Sequence, residues 1–221
     1  MAEQVGTLII GGGQAGLAMS GHLNERGVPN LVVERHRIAE RWRSERWDSL
    51  VANGPAWHDR FPNLTFDDIP GEAFATKDRI VRYLEDYAKH MKVPVRTGVT
   101  VTSLTQNGAG FIAETSQGTI AAEKVVVATG PFQKPLIPAS VPAETGIFQI
   151  HSAAYRNPQQ LPAGKVLVVG AGSSGAQIAD ELNRAGVKSP RGGTWAHSAL
   201  YPDSKGVGIL GNPIYNGRQV W

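Results

Sequence analysis

Val5-Gly6-Thr7-Leu8-Ile9-Ile10-Gly11-Gly12-Gly13-Gln14-Ala15-Gly16 opens with a short apolar run and closes on a cluster of glycines. Its last six residues fit G-x-G-x-x-G, with Gly11, Gly13 and Gly16 in the glycine places. The first glycine of that pattern makes a tight turn, the second lets backbone approach a pyrophosphate, and the third lets a helix pack on the preceding strand. Gln14 to Arg26 reads as that helix, with Ala15, Leu17, Ala18 and Leu23 apolar, Gly27 as its stop and Pro29 just beyond. Its start, at Gln14 and Ala15, offers free N–H groups and a positive dipole end to phosphates. Leu31 to Glu34 reads as the next strand, which places Glu34 where an acid reaches ribose hydroxyls.

A second match, Gly170-Ala171-Gly172-Ser173-Ser174-Gly175, again follows an apolar run, Val166 to Val169, and opens a helix ending at Arg184. Gly170, Gly172, Ser173, Ser174 and Gly175 are the binding candidates there. Two dinucleotide motifs in one chain imply two cofactors, with hydride passing between a nicotinamide and a flavin. The expected architecture is α/β: a doubly wound parallel sheet, a Rossmann-type FAD-binding domain, followed by the start of a second dinucleotide-binding domain. The boundaries read as 1–135 for the first domain, 136–164 for a proline-rich connector and 165–221 for an incomplete second domain.

Between the motifs, Asp78 to Met91 has helical spacing, with Ile80, Val81, Leu84, Tyr87, Ala88 and Met91 apolar and Thr76 or Lys77 near its start. Val93 to Val95 and Val99 to Leu104 read as strands, Gly110 to Thr115 and Gly118 to Ala122 as a hairpin, and Lys124 to Thr129 as a buried strand ending at Gly130. Arg35 to Phe74 is irregular, rich in Trp, Pro, Asn and Asp, and is expected to cross over the flavin.

Composition narrows the function classes. Apolar residues make up 41% and charged residues 19% of the 221, which suits an ordinary folded core. A net charge of +3 is a mild basic bias, suited to phosphorylated cofactors and unlike the dense basic face of a nucleic-acid binder. Five arginines crowd between Arg35 and Arg46, but Glu34, Glu40, Glu45 and Asp48 are interleaved or adjacent. Zero cysteines exclude a disulfide, a thiolate metal site or a redox dithiol. Met1 to Gly13 does not resemble a signal peptide, and no run is long and apolar enough to span a bilayer. A cytoplasmic protein without metal, nucleic-acid or membrane partners is the expectation.

The front motif with Glu34, the strand Val125-Val126-Val127-Ala128-Thr129-Gly130, the segment His151-Ser152-Ala153-Ala154-Tyr155 and the second motif together resemble the class B flavin monooxygenases, from about Val5 to Gly186. That group includes flavin-containing, YUCCA-type and Baeyer–Villiger enzymes. The resemblance implies FAD at the first motif, NADPH (or NADH) at the second, and transfer of one oxygen atom from O2 to a small organic substrate. Arg35, Trp42, Thr129 and Gly130 fall where the family lines its FAD. Asn53 aligns with an asparagine that several members place near the flavin ring, although Asn53-Gly54-Pro55 is also an ordinary turn sequence. In the family fingerprint F-x-G-x-x-x-H, His151 fits but Thr145 and Ile147 hold the phenylalanine and glycine places. His151 is implied in domain coupling and cofactor placement; a hydrogen-bonded loop histidine is the alternative.

The chain departs from the family after Gly186. Val187 to Asn216 shows no periodicity and holds Pro190, Pro202 and Pro213. It is expected to stand apart from the second domain, with Gly217 to Trp221 as a displaced strand and the chain as a truncated member. A non-catalytic FAD-binding module and a non-disulfide NAD(P)H:acceptor flavin reductase are the alternative readings.

Overall fold

The computed structural model describes residues 2–137, 146–170 and 172–195. It divides into two compact units, residues 1–45 with 54–135 and residues 46–53 with 136–221. The segment 46–53 therefore leaves the first domain expected over 1–135.

The first unit is a six-stranded sheet with helices. In chain order it runs β1 (Glu3–Ile10), α1 (Gln14–Glu25), β2 (Asn30–Glu34), α2 (Glu40–Ser44), α3 (Lys77–His90), β3 (Val95–Thr97), β4 (Val101–Asn107), β5 (Gly110–Thr115) and β6 (Gly118–Val127). The sheet order is β3-β2-β1-β6-β5-β4. β3, β2, β1 and β6 are mutually parallel, whereas β5 and β4 continue the sheet antiparallel, so the sheet is mixed. The expected hairpin strand and the expected buried strand after it are one element. β6 pairs antiparallel with β5 over its first half and parallel with β1 from Glu3↔Ile120 to Ile10↔Val127. Glu123 and Lys124, at the junction of the two expected strands, are both exposed within the one strand.

Leu8, Ile9, Val32 and Val33 are buried at the sheet centre. Each such side chain contributes roughly 1.5–3 kcal/mol through burial. Thr76 caps α3, its hydroxyl accepting the Arg79 N–H at 3.3 Å. The helix then buries Ile80, Val81, Tyr83, Leu84, Tyr87 and Ala88 along one stripe. A Cβ at Gly21 of α1 would run into the Tyr87 hydroxyl, so a bare Cα is needed there. Tyr83 fastens the irregular stretch: its hydroxyl accepts from Phe61 N–H at 2.6 Å and donates to Leu64 O at 2.8 Å. Phe66 stacks on the same ring at 4.2 Å between centroids. Part of the stretch expected to cross the flavin is thus bound to α3, and another part forms α2.

The second unit holds α4 (Ser173–Arg184) and the extended segment before it. The expected strand Lys165 to Val169 is reduced to a single parallel bridge, Lys165↔Lys188, with Val166 N–H bonded to Lys188 O at 3.0 Å. Leu167 and Val169 are exposed, as a strand needs neighbours on both sides to be covered. That bridge also corrects the expectation for the tail. Residues 187–195 dock directly on α4 instead of standing apart. Gly186 at φ +72° turns the chain back at the helix end, and Asn183 takes the Trp195 backbone on both sides, from N–H at 2.7 Å and to O at 2.9 Å. Trp195 packs on Ala176 and Ala179. The remainder of the expected tail and the strand expected at 217–221 lie outside the described residues. Among the described residues, no helix is long and apolar enough to cross a membrane.

Candidate functional site

In the first unit the glycine run builds an open cradle at the start of α1. Gly11 sits at φ +114°, and a Cβ there would come within 2.5 Å of Ala128 O. Its N–H bonds Val33 O at 2.8 Å, and Ala128 N–H bonds Ile10 O at 2.8 Å, so β2 and β6 clamp the turn from both sides. A Cβ at Gly16 would overlap Gly11 O, whereas a Cβ at Gly13 would meet nothing within 4 Å. The two glycines thus have different duties: Gly16 closes the turn on the helix, and Gly13 leaves open space above it. No side chain caps α1 and no acid lies in its first turn. The N–H groups around Gln14 and Ala15, both exposed, face that space. This arrangement fits a bound pyrophosphate.

Glu34 is fixed beside the cradle. Its Oε2 accepts Gly12 N–H at 2.7 Å and its Oε1 accepts His36 N–H at 2.9 Å. A Cβ at Gly12 would press on the Glu34 Cβ at 2.9 Å, so Gly12, between the recognised glycines, is required by the acid rather than by the turn. Arg35 follows, exposed. Thr129 and Gly130 lie just past β6, next to Gly11's contact at Ala128, with Gly130 at φ +81°. The Gln133 amide donates to both of their carbonyls, and Arg41 of α2 donates to Phe132 O. Arg41 and Gln133 are site supports that no motif signalled. Trp42, beside Arg41, is half-buried on α2. The first motif, Glu34 and the Thr129-Gly130 turn are therefore brought together.

The second cradle repeats the first in its own unit. Gly170 sits at φ +112°, a Cβ at Gly175 would overlap Gly170 O, and Gly172 faces open space at the uncapped start of α4. Ser173 and Ser174 are exposed in its first turn. The helix ends match as well: Gly27 and Gly186 donate to Asn24 O and Asn183 O, and Val28 and Val187 to Leu23 O and Leu182 O, all within 2.9–3.1 Å. The units part after that. Where β2 runs on to Glu34, the second unit turns after Lys188, through Ser189 N–H to Gly193 O and Gly192 N–H to Ser189 O, both 2.8 Å. By count from the two glycine turns Gly193 falls at the position of Glu34, but it lies in that tight turn beside Ser189.

Asn53 lies in the second unit, exposed, its Oδ1 3.5 Å from Gln177 Nε2 of α4. His151 Nδ1 accepts Ala153 N–H at 3.1 Å and its carbonyl accepts from Ala154 and Tyr155, which is a turn-closing role. Tyr155 is buried and donates to Glu181 Oε2 at 2.8 Å. Burial first, and then the Glu181 carboxylate, push its phenol well above the ordinary range, so it stays a protonated donor.

Two β-α turns shaped for pyrophosphate define a protein of the two-dinucleotide class. The chain belongs to the pyridine nucleotide-disulphide oxidoreductase family, whose model matches residues 8–189. A recombinase family model matches residues 166–221 and so overlaps the first on the second glycine turn and α4. A CzcO-like oxidoreductase of Geobacillus kaustophilus is 44% identical over 185 residues, covering 83% of this chain and 53% of that protein. A probable indole-3-pyruvate monooxygenase of Arabidopsis thaliana, YUCCA1, is 34% identical over 186 residues, covering 81% and 44%. A flavin-containing monooxygenase structure from Stenotrophomonas maltophilia superposes with a TM-score of 0.72 at 26% identity, covering 82% and 56%. The chain spans about half the length of the curated relatives it matches.

Proposed function

We propose that this chain carries the FAD-binding part of an NAD(P)H-using monooxygenase that places one oxygen atom from O2 into a small organic substrate. The carrying observation is the duplicated cradle, each copy with a positive-φ glycine, a packed glycine and an open glycine in the same order. The names of the Arabidopsis and Stenotrophomonas relatives support oxygenation over simple reduction, and these 221 residues supply no cysteine for a dithiol route. A bound flavin, reduced by the nicotinamide, would supply the oxygen chemistry. The protein's part is placement. Gly11, Gly13 and Gly16 with the Gln14 and Ala15 amides would hold the FAD pyrophosphate, and Glu34 the ribose hydroxyls, with Arg35, Trp42, Thr129 and Gly130 beside them. Gly170, Gly172, Ser173, Ser174 and Gly175 would take the pyrophosphate of NADPH, and Asn53 would offer a hydrogen bond beside the flavin ring. In this reading residues 1–135 form the FAD domain, 136–164 a connector and 165–221 an incomplete nicotinamide domain, in a cytoplasmic setting. The test is FAD uptake by purified protein: a yellow, saturable complex is expected, and a folded protein that stays colourless in excess FAD would overturn the reading.

The recombinase match favours a second reading for residues 166–221 alone, as a segment that meets nucleic acid. From Val187 on it carries Lys188, Arg191, Lys205 and Arg218 against Asp203. Salt-dependent binding to duplex DNA, measured by anisotropy, would support it; none would leave the flavin reading alone.

A further inference from the structure

Gln177 stands one turn into α4, close behind the open Gly172. Its side-chain amide pairs with a single peptide of a segment far away in sequence. Oε1 accepts Val51 N–H at 3.2 Å, and Nε2 donates to Val51 O at 3.2 Å. The second Nε2 hydrogen is left for Asn53 Oδ1, at 3.5 Å. One acceptor and two donors are what a primary amide carries, and all three have partners here. The reverse orientation would set an N–H against the Val51 N–H, so the assignment of oxygen and nitrogen is fixed by the backbone. The rest of the segment is anchored independently. Asp48 N–H bonds Arg156 O at 2.7 Å, Asn157 donates to Asp48 Oδ2 at 2.7 Å, and Trp47, Leu50 and Ala52 are buried. Asn53, at the free end, is exposed, and its side chain meets α4 through Gln177.

We propose that Gln177 is a positioning residue for Asn53, tying the 51–53 backbone to the helix that opens the second glycine turn. Asn53 is thereby tied to α4, although α3 and the four strands β3 to β6 lie between them in sequence. A dinucleotide seated at the start of α4 stiffens the first turns of that helix, Gln177 among them, and the 51–53 backbone with it. This inference rests on the proposed oxygenase reading only for the role of Asn53 beside the flavin; the clamp itself stands on the geometry.

The experiment compares backbone hydrogen exchange of residues 50–53 in the wild-type chain with Gln177→Met, which keeps size and helix propensity, and Gln177→Glu, which keeps the acceptor and loses both donors. Exchange is expected to rise about tenfold in the Met variant and less in the Glu variant, with α4 protection unchanged. In FAD-loaded, light-reduced protein admitted to air, peroxide release is expected to rise equally in Gln177→Met and Asn53→Ala and no further in the double variant. That non-additivity is a signature a merely structural residue would not produce. Unchanged exchange at 50–53, additive peroxide release, or loss of α4 protection in both Gln177 variants overturns the proposal. Failure of the wild-type chain to bind FAD would count against the oxygenase reading, and the cofactor-free exchange comparison would still judge the clamp.

Discussion

The two β-α units differ less in their glycines than in what comes after them. Both have a positive-φ glycine at the turn, a twelve-residue helix and a glycine-terminated helix end. In the first, the chain proceeds into a five-residue parallel strand that delivers Glu34 to the cradle. In the second, one bridge at Lys188 is followed by a tight turn from Ser189 to Gly193, and among the described residues no acid follows the helix. The glycine motif shapes a seat for a pyrophosphate; selection of a particular nucleotide belongs to the next strand. A glycine motif alone therefore does not make a complete site.

The largest effect that should separate the units comes from charging each open glycine in turn. Gly13→Asp and Gly172→Asp both place a good N-cap residue at an extended φ with free space for its side chain, so both proteins should fold. Gly13→Asp should weaken FAD binding about a thousandfold through like-charge repulsion, and Gly172→Asp should leave it unchanged. Equal loss in both, read by flavin absorbance after gel filtration, would break the distinction. Glu34→Ala should cost about 1.5–3 kcal/mol of FAD affinity, since it removes a charged acceptor already held in place by Gly12 and His36. NADPH and NADH should bind the isolated chain no more tightly than about 1 mM by calorimetry, because among the described residues no acid follows α4 as Glu34 follows α1. Micromolar binding would mean that residues past 195 complete the seat.

Two smaller effects sharpen the comparison at the level of stability. Asn183→Ala removes both hydrogen bonds to the Trp195 backbone and should destabilise that docking by about 1–2 kcal/mol. Limited proteolysis should then cut near Trp195 several times faster while the first unit resists. In the first unit, the Arg37 guanidinium bonded to Glu40 holds that carboxyl at about 2, below its ordinary 4.5. A depressed acid stabilises the fold above pH 4.5 and loses that contribution as pH falls through about 2. Arg37→Met should therefore be slightly less stable than wild type at neutral pH, with the gap closing in acid denaturation between those two values. A gap that persists at pH 2 would assign the loss to packing instead.

Much of the first unit was legible in the residue order because its signals are local. The glycine turn, the apolar stripe of α3 and the Thr76 cap each occupy a few neighbouring positions. The continuity of β6 was not legible. Glu123 and Lys124 look like an interruption until β1 and β5 pair with the strand on both edges, and such pairing leaves no trace in a local window. α2 is only five residues long, too short for a period to show. The supports of the candidate site were hidden for a related reason. Arg41, Gln177 and Asn183 act on backbone of other segments and Gln133 on the turn just before it, and an amide or guanidinium that does so looks like any surface residue. The docking of residues 187–195 is hidden in the same way: Pro190, Gly192 and Gly193 look like a loop, yet Val187 bonds the end of α4 and Lys188 bridges to Lys165 before the chain turns.

The indole rings divide along the same line. Trp47 and Trp195 have their N–H groups buried without a hydrogen-bond partner, and both belong to the second unit, whereas Trp57 of the first unit is 55% exposed. A buried indole with an unbonded N–H emits at the blue end of tryptophan fluorescence, and a wet one at the red. The chain thus carries its own optical gauge. Loss of the second unit's packing moves emission to the red; Trp57, already in water, adds little to that shift, and Trp42, half-buried in the first unit, adds a smaller one. Melting curves followed at the blue edge are therefore weighted toward the second unit without any label being added.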